Sequence, residues 1–178
     1  MGDPLPAAPA TLVCGLLAAG EAALAAARET LSHAFGPRAL ESPVLPFSFT
    51  RYYEPEMGPG LLRQFVAFET PVDPGRLAAI KLRTNALERE LAGRLAASVP
   101  RPVNLDPGVL DDARLVLATT KDFAHRVCLG NGIYAEVTLR WQGGAFAPME
   151  WTYPDYRSEE ARAFFDRVRR FHRERGAR

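Results

Sequence analysis

The chain begins without periodicity and then alternates between strand and helix patterns. Residues 1–10 contain three prolines and are predicted to form a loose leader. Residues 12–17 form a short continuous apolar run, which is typical of a strand buried on both faces. The alanine-rich residues 20–35 have high helix propensity and are followed by Gly36-Pro37, so a helix is predicted directly after this strand.

Two further strands and a long helix are predicted next. Residues 47–53 alternate aromatic with polar side chains, and residues 62–69 form another strand pattern, so these segments are predicted to pair as an antiparallel hairpin. From Asp73-Pro74, an N-cap followed by proline, a helix is predicted to about residue 97. Apolar side chains recur along it at spacings of three and four, as on a buried helix face.

The second half of the chain has more strand than helix character. It predicts a strand at 101–105, a turn at Asp106-Pro107-Gly108, a strand at 113–121, a hairpin over 123–141 and a last helix over 158–173. Asp-Pro-Gly is a common turn sequence, with Asp first and Pro second.

The predicted element order, β-α-β-β-α-β with extra strands and a helix, matches the split βαβ pattern. We therefore predict one α+β domain over residues 11–175, with a ferredoxin-like antiparallel sandwich and an added C-terminal hairpin and helix. A mixed sheet with the later hairpin in its middle is the alternative. Both place two long helices on one face of the sheet and leave the other face to solvent, the last helix or a ligand.

The hairpin turn at Gly130-Asn131-Gly132 is the strongest short-range signal in the chain. Alternation after it predicts that the odd positions of 133–141 face the core. A two-residue loop would place His125 on the face of Glu136, and a three-residue loop would place Arg126 opposite Glu136. A histidine beside a carboxylate could act as a base or metal ligand, whereas an arginine there is more simply a cross-strand ion pair.

Composition excludes several classes of function. Lys and Arg number 22 against 21 Asp and Glu, so the net charge of +1 is too small to attract the chain to duplex nucleic acid or a membrane surface. No apolar run approaches the roughly 18 residues that a membrane span needs, and the two cysteines lie in apolar runs, which argues against a disulfide framework. We predict a cytoplasmic protein; the cofactor and the oligomeric state stay unknown.

Familiar catalytic motifs are absent from the sequence. Thr120-Lys121-Asp122 is similar to the guanine-reading element of GTPases but lacks its spacer residue, and no Gly-x4-Gly-Lys-Ser/Thr phosphate loop occurs. Three histidines without a cysteine cluster argue against a zinc site. The paired His-x-Thr/Ser elements of two-histidine phosphoesterases and the Gly-x-Ser-x-Gly elbow of serine hydrolases are also missing.

Polar, reactive side chains nevertheless converge on neighbouring predicted strands, as an acid/base or anion-binding pocket requires. The candidate acid/base residues are Asp106, His125 and Glu136. The candidate ligand-binding residues are Lys81, Asn104, Thr119, Thr120, Lys121, Arg126, Tyr134 and Tyr153. Two loop carboxylates, Glu54 and Glu56, are candidates for a divalent cation. The simpler interpretations are a solvated sheet face, a turn at Asp106 and a rim network at Lys81.

The leading hypothesis is binding of a small anionic ligand, phosphorylated or nucleotide-like, with acid/base or metal-assisted hydrolysis as the chemistry that these residues could support. The alternative is a non-enzymatic adaptor or structural protein whose polar residues form internal salt bridges. That alternative predicts a close pair between Arg126 and Glu136 and no deep pocket beside it.

Several segments together resemble one family, the prokaryotic domain of unknown function family numbered 4416. The segments that carry the resemblance are 46–58, 80–85, 104–108, 117–126, 132–139 and 151–156. The likeness spans nearly the whole chain and implies a single domain. Some members of that family are labelled GTP-binding, but the resemblance implies no mechanism.

Overall fold

The computed structural model describes residues 2–95 and 97–176, and this part of the chain is mixed α+β. It contains one sheet of nine antiparallel strands and five α-helices. The strands are β1 Ala10–Ala18, β2 Arg38–Glu41, β3 Leu45–Pro46, β4 Leu62–Val72, β5 Val103–Leu110, β6 Arg114–Thr119, β7 Val127–Gly130, β8 Ile133–Gln142 and β9 Ala145–Pro148. The helices are α1 Glu21–Phe35, α2 Glu54–Met57, α3 Leu77–Leu95, α4 Pro154–Arg157 and α5 Glu159–Gly176.

The strand order is β2-β4-β1-β5-β6-β8-β7, with β3 paired to β4 and β9 paired to β8. The α+β class is confirmed, and the ferredoxin-like arrangement stays a prediction. Helices α1 and α3 cover one face, and α5 covers part of the opposite face, which the sequence had left to solvent, the last helix or a ligand. In residues 2–95 and 97–176, no helix is both long and apolar enough to cross a membrane.

The central strand β1 is buried along its whole length because helices lie on both of its faces. Leu12, Cys14 and Leu16 pack with α1 and α3, while Val13 packs with α5. Double burial explains why the run is continuously apolar and does not alternate. The strand predicted at 12–17 is confirmed.

Both long helices predicted in the first half are present. α1 corresponds to the prediction over 20–35, and α3 follows a 3₁₀ turn at Pro74–Arg76. The Oδ1 atom of Asp73 accepts a hydrogen bond from the Gly75 N–H at 2.8 Å, as expected of an N-cap. Residues 2–9 are exposed and have no regular secondary structure; Met1, the first residue of the predicted leader, lies outside the described residues. The predicted limits of leader and domain stay predictions.

Two local predictions are wrong because tertiary contacts override local preference. Within 47–53 there is no strand: the pairing with β4 ends at Pro46, and the rings of Phe49 and Tyr53 each pack edge-on against Phe47. The turn predicted at Asp106-Pro107-Gly108 is also absent, because β5 runs through these residues. They pair with β1, which supplies a complete partner strand.

The β7–β8 hairpin answers the question of register. Gly130 pairs with Ile133, so the loop has two residues, and a bulge then places Cys128 opposite Tyr134. A second irregularity inserts Thr138 between the pairs that β8 forms with β6. The face of β8 therefore changes there, and Leu139 joins the α5 cluster, contrary to the uninterrupted alternation predicted for 133–141.

Candidate functional site

A cavity of about 870 Å³ opens where two central strands diverge. In the described structure, β5 and β6 pair over Gly108–Leu110 and Leu115–Leu117 and no further. Before Gly108, β5 stays paired with β1, while β6 continues along β8. Pro107, which has no N–H for a ladder, lies next to the last pair. The walls come from α3, the loop that contains α2, the end of β6 and α4.

Most of the residues proposed from sequence lie around this one cavity. The lining includes Asp106, Glu136, Lys81, Asn104, Thr119, Thr120, Lys121, Tyr153 and Glu56. Within the described residues, the lining does not include His125, Arg126, Tyr134 or Glu54. The geometry brings the first group together, and the roles assigned to these residues stay predictions.

Asp106 is the carboxylate at the centre of the site. It accepts a hydrogen bond from Asn104 Nδ2 at 2.6 Å and lies 3.5 Å from Lys81 Nζ and 3.7 Å from an Arg63 Nη atom. Burial by itself would raise the pKa of Asp106, but the charges of Lys81 and Arg63 and the Asn104 bond outweigh it and hold this pKa below its ordinary value. Asp106 is therefore ionised at neutral pH.

This lowered pKa predicts an acid-dependent loss of stability. A carboxyl whose pKa is depressed by folding stabilises the native state above its unfolded pKa, about 3.9 for Asp, and loses that contribution as the pH falls through the folded pKa. We expect Asp106→Asn to lower the free energy of unfolding at pH 7 and to lower it progressively less below about pH 4. Urea unfolding at several pH values measures this, and a difference that grows on acidification would contradict it.

Lys81 and Glu88 satisfy the open edge of β5. Lys81 Nζ donates to the Leu105 carbonyl oxygen at 2.8 Å, and Glu88 Oε1 accepts from the Leu105 N–H at 2.8 Å. Residues seven apart lie on one helix face, so two side chains of α3 replace the partner that β6 would have provided. Arg101 then donates to Glu88 Oε2 at 2.9 Å. The Lys81 side chain is buried against the edge of β5. The prediction that it belongs to a polar network within the helix at the rim is therefore wrong.

Arg63 and Asp155 form a buried ion pair that the sequence interpretation missed. Arg63 lies on β4 and is 5% exposed, and one of its Nη atoms is 2.5 Å from an Asp155 oxygen at the start of α4. The guanidinium also lies over the rings of Phe65 and Tyr156 at 4.9 and 5.1 Å. An arginine within a predicted strand was the one available signal, since a buried arginine needs a partner.

Glu136 is held by both residues that the register alternatives named. His125 Nε2 lies 3.0 Å from Glu136 Oε2, and Arg126 Nε donates to the same oxygen at 2.8 Å. The His125 ring stacks on Trp151 with centroids 4.9 Å apart, and neither residue borders the cavity. Arg126 also donates to the hydroxyl of Tyr153 at 2.7 Å. His125 and Arg126 thus support the cavity wall from behind.

The two carboxylates proposed for a divalent cation are separated by their ion pairs. Glu54 lies 3.6 Å from Arg51, while Glu56 lies 3.5 Å from Arg101. Across the described residues, no group of three or more His, Cys, Asp or Glu side chains is arranged to hold a metal ion. Only Glu56 of this pair borders the cavity, and the metal role of both stays a prediction.

The mouth of the cavity carries aromatic rings and a lysine. Phe49 and Tyr52 are 46% and 64% exposed, and both border the opening. Lys121, at the end of β6, donates to the Tyr52 hydroxyl at 3.0 Å, with its ammonium 4.2 Å from the ring centroid. This contact is a cation–π interaction at an exposed site, so it is weak enough for a ligand to replace it.

Comparison with known proteins adds a family and no activity. No curated protein and no solved structure matches the chain. A family model described as Domain of unknown function (DUF4416) matches residues 8–172, which is nearly the whole chain and agrees with the resemblance carried by its motifs. The chain therefore belongs to the domain of unknown function family DUF4416.

Proposed function

We propose that the protein binds a small anionic ligand, phosphorylated or nucleotide-like, in the cavity between β5 and β6. The observation that carries this proposal is that the acidic groups of the wall already have cationic partners. The carboxylates that line the cavity are Glu56, Glu88, Asp106, Glu136 and Asp155. Their partners within 4 Å are Arg101, Lys81, Arg63 and Arg126.

Two cations at the mouth have no such partner. Within the described residues, neither Lys121 nor Arg89 lies within ion-pair distance of a carboxylate, although both border the cavity. The lining contains five carboxylates and five cations. Arg126 lies outside the lining and pairs with Glu136, so the site has an excess of one positive charge when Arg126 is counted with it. A cavity with its acceptors occupied and cationic donors free favours an anion with several oxygen atoms.

The exposed rings of Phe49 and Tyr52 support the nucleotide-like part of the proposal. Both lie beside the Lys121 side chain at the opening. A planar heterocycle stacked on such rings gains roughly 1–3 kcal/mol, and an attached phosphate would then lie near Lys121. Lys81 and Arg63 lower the pKa of Asp106 against the effect of burial, so this carboxylate is ionised at neutral pH and is not a proton donor. The same shift makes it a weaker base than a free aspartate.

The proposal is tested by titrating inorganic phosphate, pyrophosphate and ATP into the protein with calorimetric detection. We expect saturable binding of at least one of these anions. Lys121→Ala and Arg89→Ala should each weaken it by roughly 5- to 100-fold, because a hydrogen bond to a charged group is worth about 1.5–3 kcal/mol and exposure reduces this. The thermal midpoint of unfolding should change little in both variants, since these side chains are exposed.

Arg76→Ala is the matched control, because Arg76 is exposed and does not border the cavity. Its affinity should equal that of the unmodified protein. Lack of saturable binding by all three anions, or equal losses in all three variants, would overturn the proposal.

A structural role for the polar strands is the second candidate. The 2.8 Å contact between Arg126 and Glu136 favours it, because it is the close pair that this alternative predicts. The cavity beside that pair argues against it, since Glu136 is part of the lining. The two hypotheses differ in the role that they give to Lys121. Its side chain is exposed and supports no buried group, so only ligand binding gives it a role.

The ferredoxin-like prediction is supported by the strand order β2-β4-β1-β5. In this order β1 lies between β4 and β5, the strands before and after α3, and β2, which follows α1, lies at the edge beside β4. In this arrangement the opening between β5 and β6 marks the border between a split βαβ unit and the added C-terminal strands. A ligand site at this border would be formed by both parts of the chain.

A further inference from the structure

Tyr153 lies immediately before α4 and borders the cavity. Its ring packs beside the α5 cluster, and the residue belongs to the cavity lining. Tyr153 precedes Pro154, which occupies the first turn of α4, so the backbone enters the helix with a fixed φ at the next residue. The position of the ring is therefore set by the core and the backbone, independently of any ligand.

Arg126 is held by three hydrogen bonds. Its Nε donates to Glu136 at 2.8 Å, one Nη donates to the Lys121 carbonyl oxygen at 2.9 Å, and the other Nη donates to the Tyr153 hydroxyl oxygen at 2.7 Å. The side chain is 8% exposed. A guanidinium bonded through all of its nitrogens has one orientation, so the bond to Tyr153 is directional.

This bond determines what the hydroxyl of Tyr153 can do. The oxygen accepts from Arg126, so the O–H must point elsewhere, and no described side chain or carbonyl accepts it. Burial raises the pKa of Tyr153, with Glu136 and Asp106 adding to the effect and Arg126 opposing it, so the phenol keeps its proton at neutral pH. A donor polarised by a neighbouring cation is stronger than an isolated phenol.

We propose that Tyr153 donates a hydrogen bond to an oxygen of the bound anion, and that Arg126 is a positioning residue which holds this hydroxyl as a donor. The inference rests on the proposed function. It gives Arg126 a different role from the direct ligand contact predicted from the sequence. A phosphate or carboxylate oxygen fits this position. An ammonium group fits less well, because Arg126 already places a positive charge beside the hydroxyl.

A double-mutant cycle on affinity tests the inference. Phosphate, pyrophosphate and ATP are titrated into the unmodified protein, Tyr153→Phe, Arg126→Lys and the double variant. We expect Tyr153→Phe to weaken binding roughly tenfold or more, since the lost bond is made to a charged group. Arg126→Lys should weaken binding in the Tyr153 background and add little to Tyr153→Phe, because it acts through the hydroxyl.

Thr70→Val is the control for loss of a hydroxyl, because Thr70 is exposed and does not border the cavity. It should leave affinity unchanged. Arg126→Lys keeps a cation beside Glu136. If this variant does not fold, Glu136→Gln replaces it in the cycle, since it removes the negative charge that strengthens one of the three bonds orienting Arg126.

The outcomes separate the two proposals. Unchanged affinity in Tyr153→Phe overturns the role of Tyr153 while the proposed function stands. Additive losses in the double variant overturn the positioning role of Arg126. Lack of binding of all three anions by the unmodified protein overturns the proposed function and this inference together.

Discussion

Replacing Arg63 with methionine is expected to lower the free energy of unfolding by about 3–5 kcal/mol, the usual cost of breaking a buried ion pair by removing one partner. Asp155 would lose the guanidinium that lies 2.5 Å away, and Asp106 would lose one of its two cations. Total stabilities of about 5–15 kcal/mol are typical of domains, so this is a large share. Urea unfolding at pH 7 measures the loss.

Two comparisons identify the buried charge as the cause. Arg114→Met removes an arginine from the exposed pair with Asp111, which has a 3.2 Å separation, and should cost no more than about 1 kcal/mol. Adding Asp155→Asn to Arg63→Met should recover part of the loss, because a neutral amide is less costly to bury. Equal stability of Arg63→Met and the unmodified protein would show that this ion pair contributes nothing.

Replacing Gly15 with alanine is expected to destabilise the protein by roughly 1–3 kcal/mol, as overpacking of a dense core does. Gly15 lies in the middle of β1, and a Cβ there would overlap the Tyr156 hydroxyl and lie 3.2 Å from an Arg63 Nη atom. Adding Tyr156→Phe should remove the overlap and restore most of the stability. Tyr156→Phe alone should be neutral or stabilising, since this buried hydroxyl has no hydrogen-bond partner in the described structure.

Gly93→Ala is the control with the same chemical change. Gly93 lies in α3, and a Cβ there would have no atom within 4 Å, so the substitution should stabilise the protein by up to about 1 kcal/mol through helix propensity. Thermal or urea unfolding of the four variants gives the comparison. A loss in Gly15→Ala that persists unchanged in the Tyr156→Phe background would exclude the hydroxyl as its cause.

Elements with strong local signals were predictable from the chain alone. The local signals are a continuous apolar run in β1 and helical periodicity in α1, α3 and α5. The turn at Gly130–Gly132 has its own signal, because it needs positive φ values, which Asn131 and Gly132 adopt and few other residue types tolerate. Such signals act within a few residues, so they survive in any tertiary context. The short strand β2, by contrast, was missed because its four residues form a strand only by pairing with β4.

The candidate site was predictable in part. Five residues were predicted to line one cavity: Asp106, Lys121, His125, Arg126 and Glu136. Asp106, Lys121 and Glu136 border it, whereas His125 and Arg126 do not. Arg63 and Asp155 were missed because they come from β4 and α4, which are far apart in the chain. Pattern identifies polar residues on strands, but the choice of an ion-pair partner depends on which strands become neighbours.

The contacts of His125 and Arg126 with Glu136 also depended on which strands become neighbours, although these residues are close in the chain. The turn residues predicted a tight hairpin. A bulge between Cys128 and Gly130 in β7 and the extra residue Thr138 in β8 then determine which side chains meet Glu136. Both irregularities arise from pairing with neighbouring strands, and neither has a local sequence signal.

Local sequence was thus sufficient for the α+β class, the long helices and the region that carries reactive side chains, because propensity and periodicity act over a few residues. Three features depend on the divergence of β5 from β6 and on the packing of α3 and α4: the cavity, the buried ion pairs around it and the hydrogen bond from Arg126 to the Tyr153 hydroxyl. Those contacts join residues distant in the chain, so long-range packing was needed to establish them.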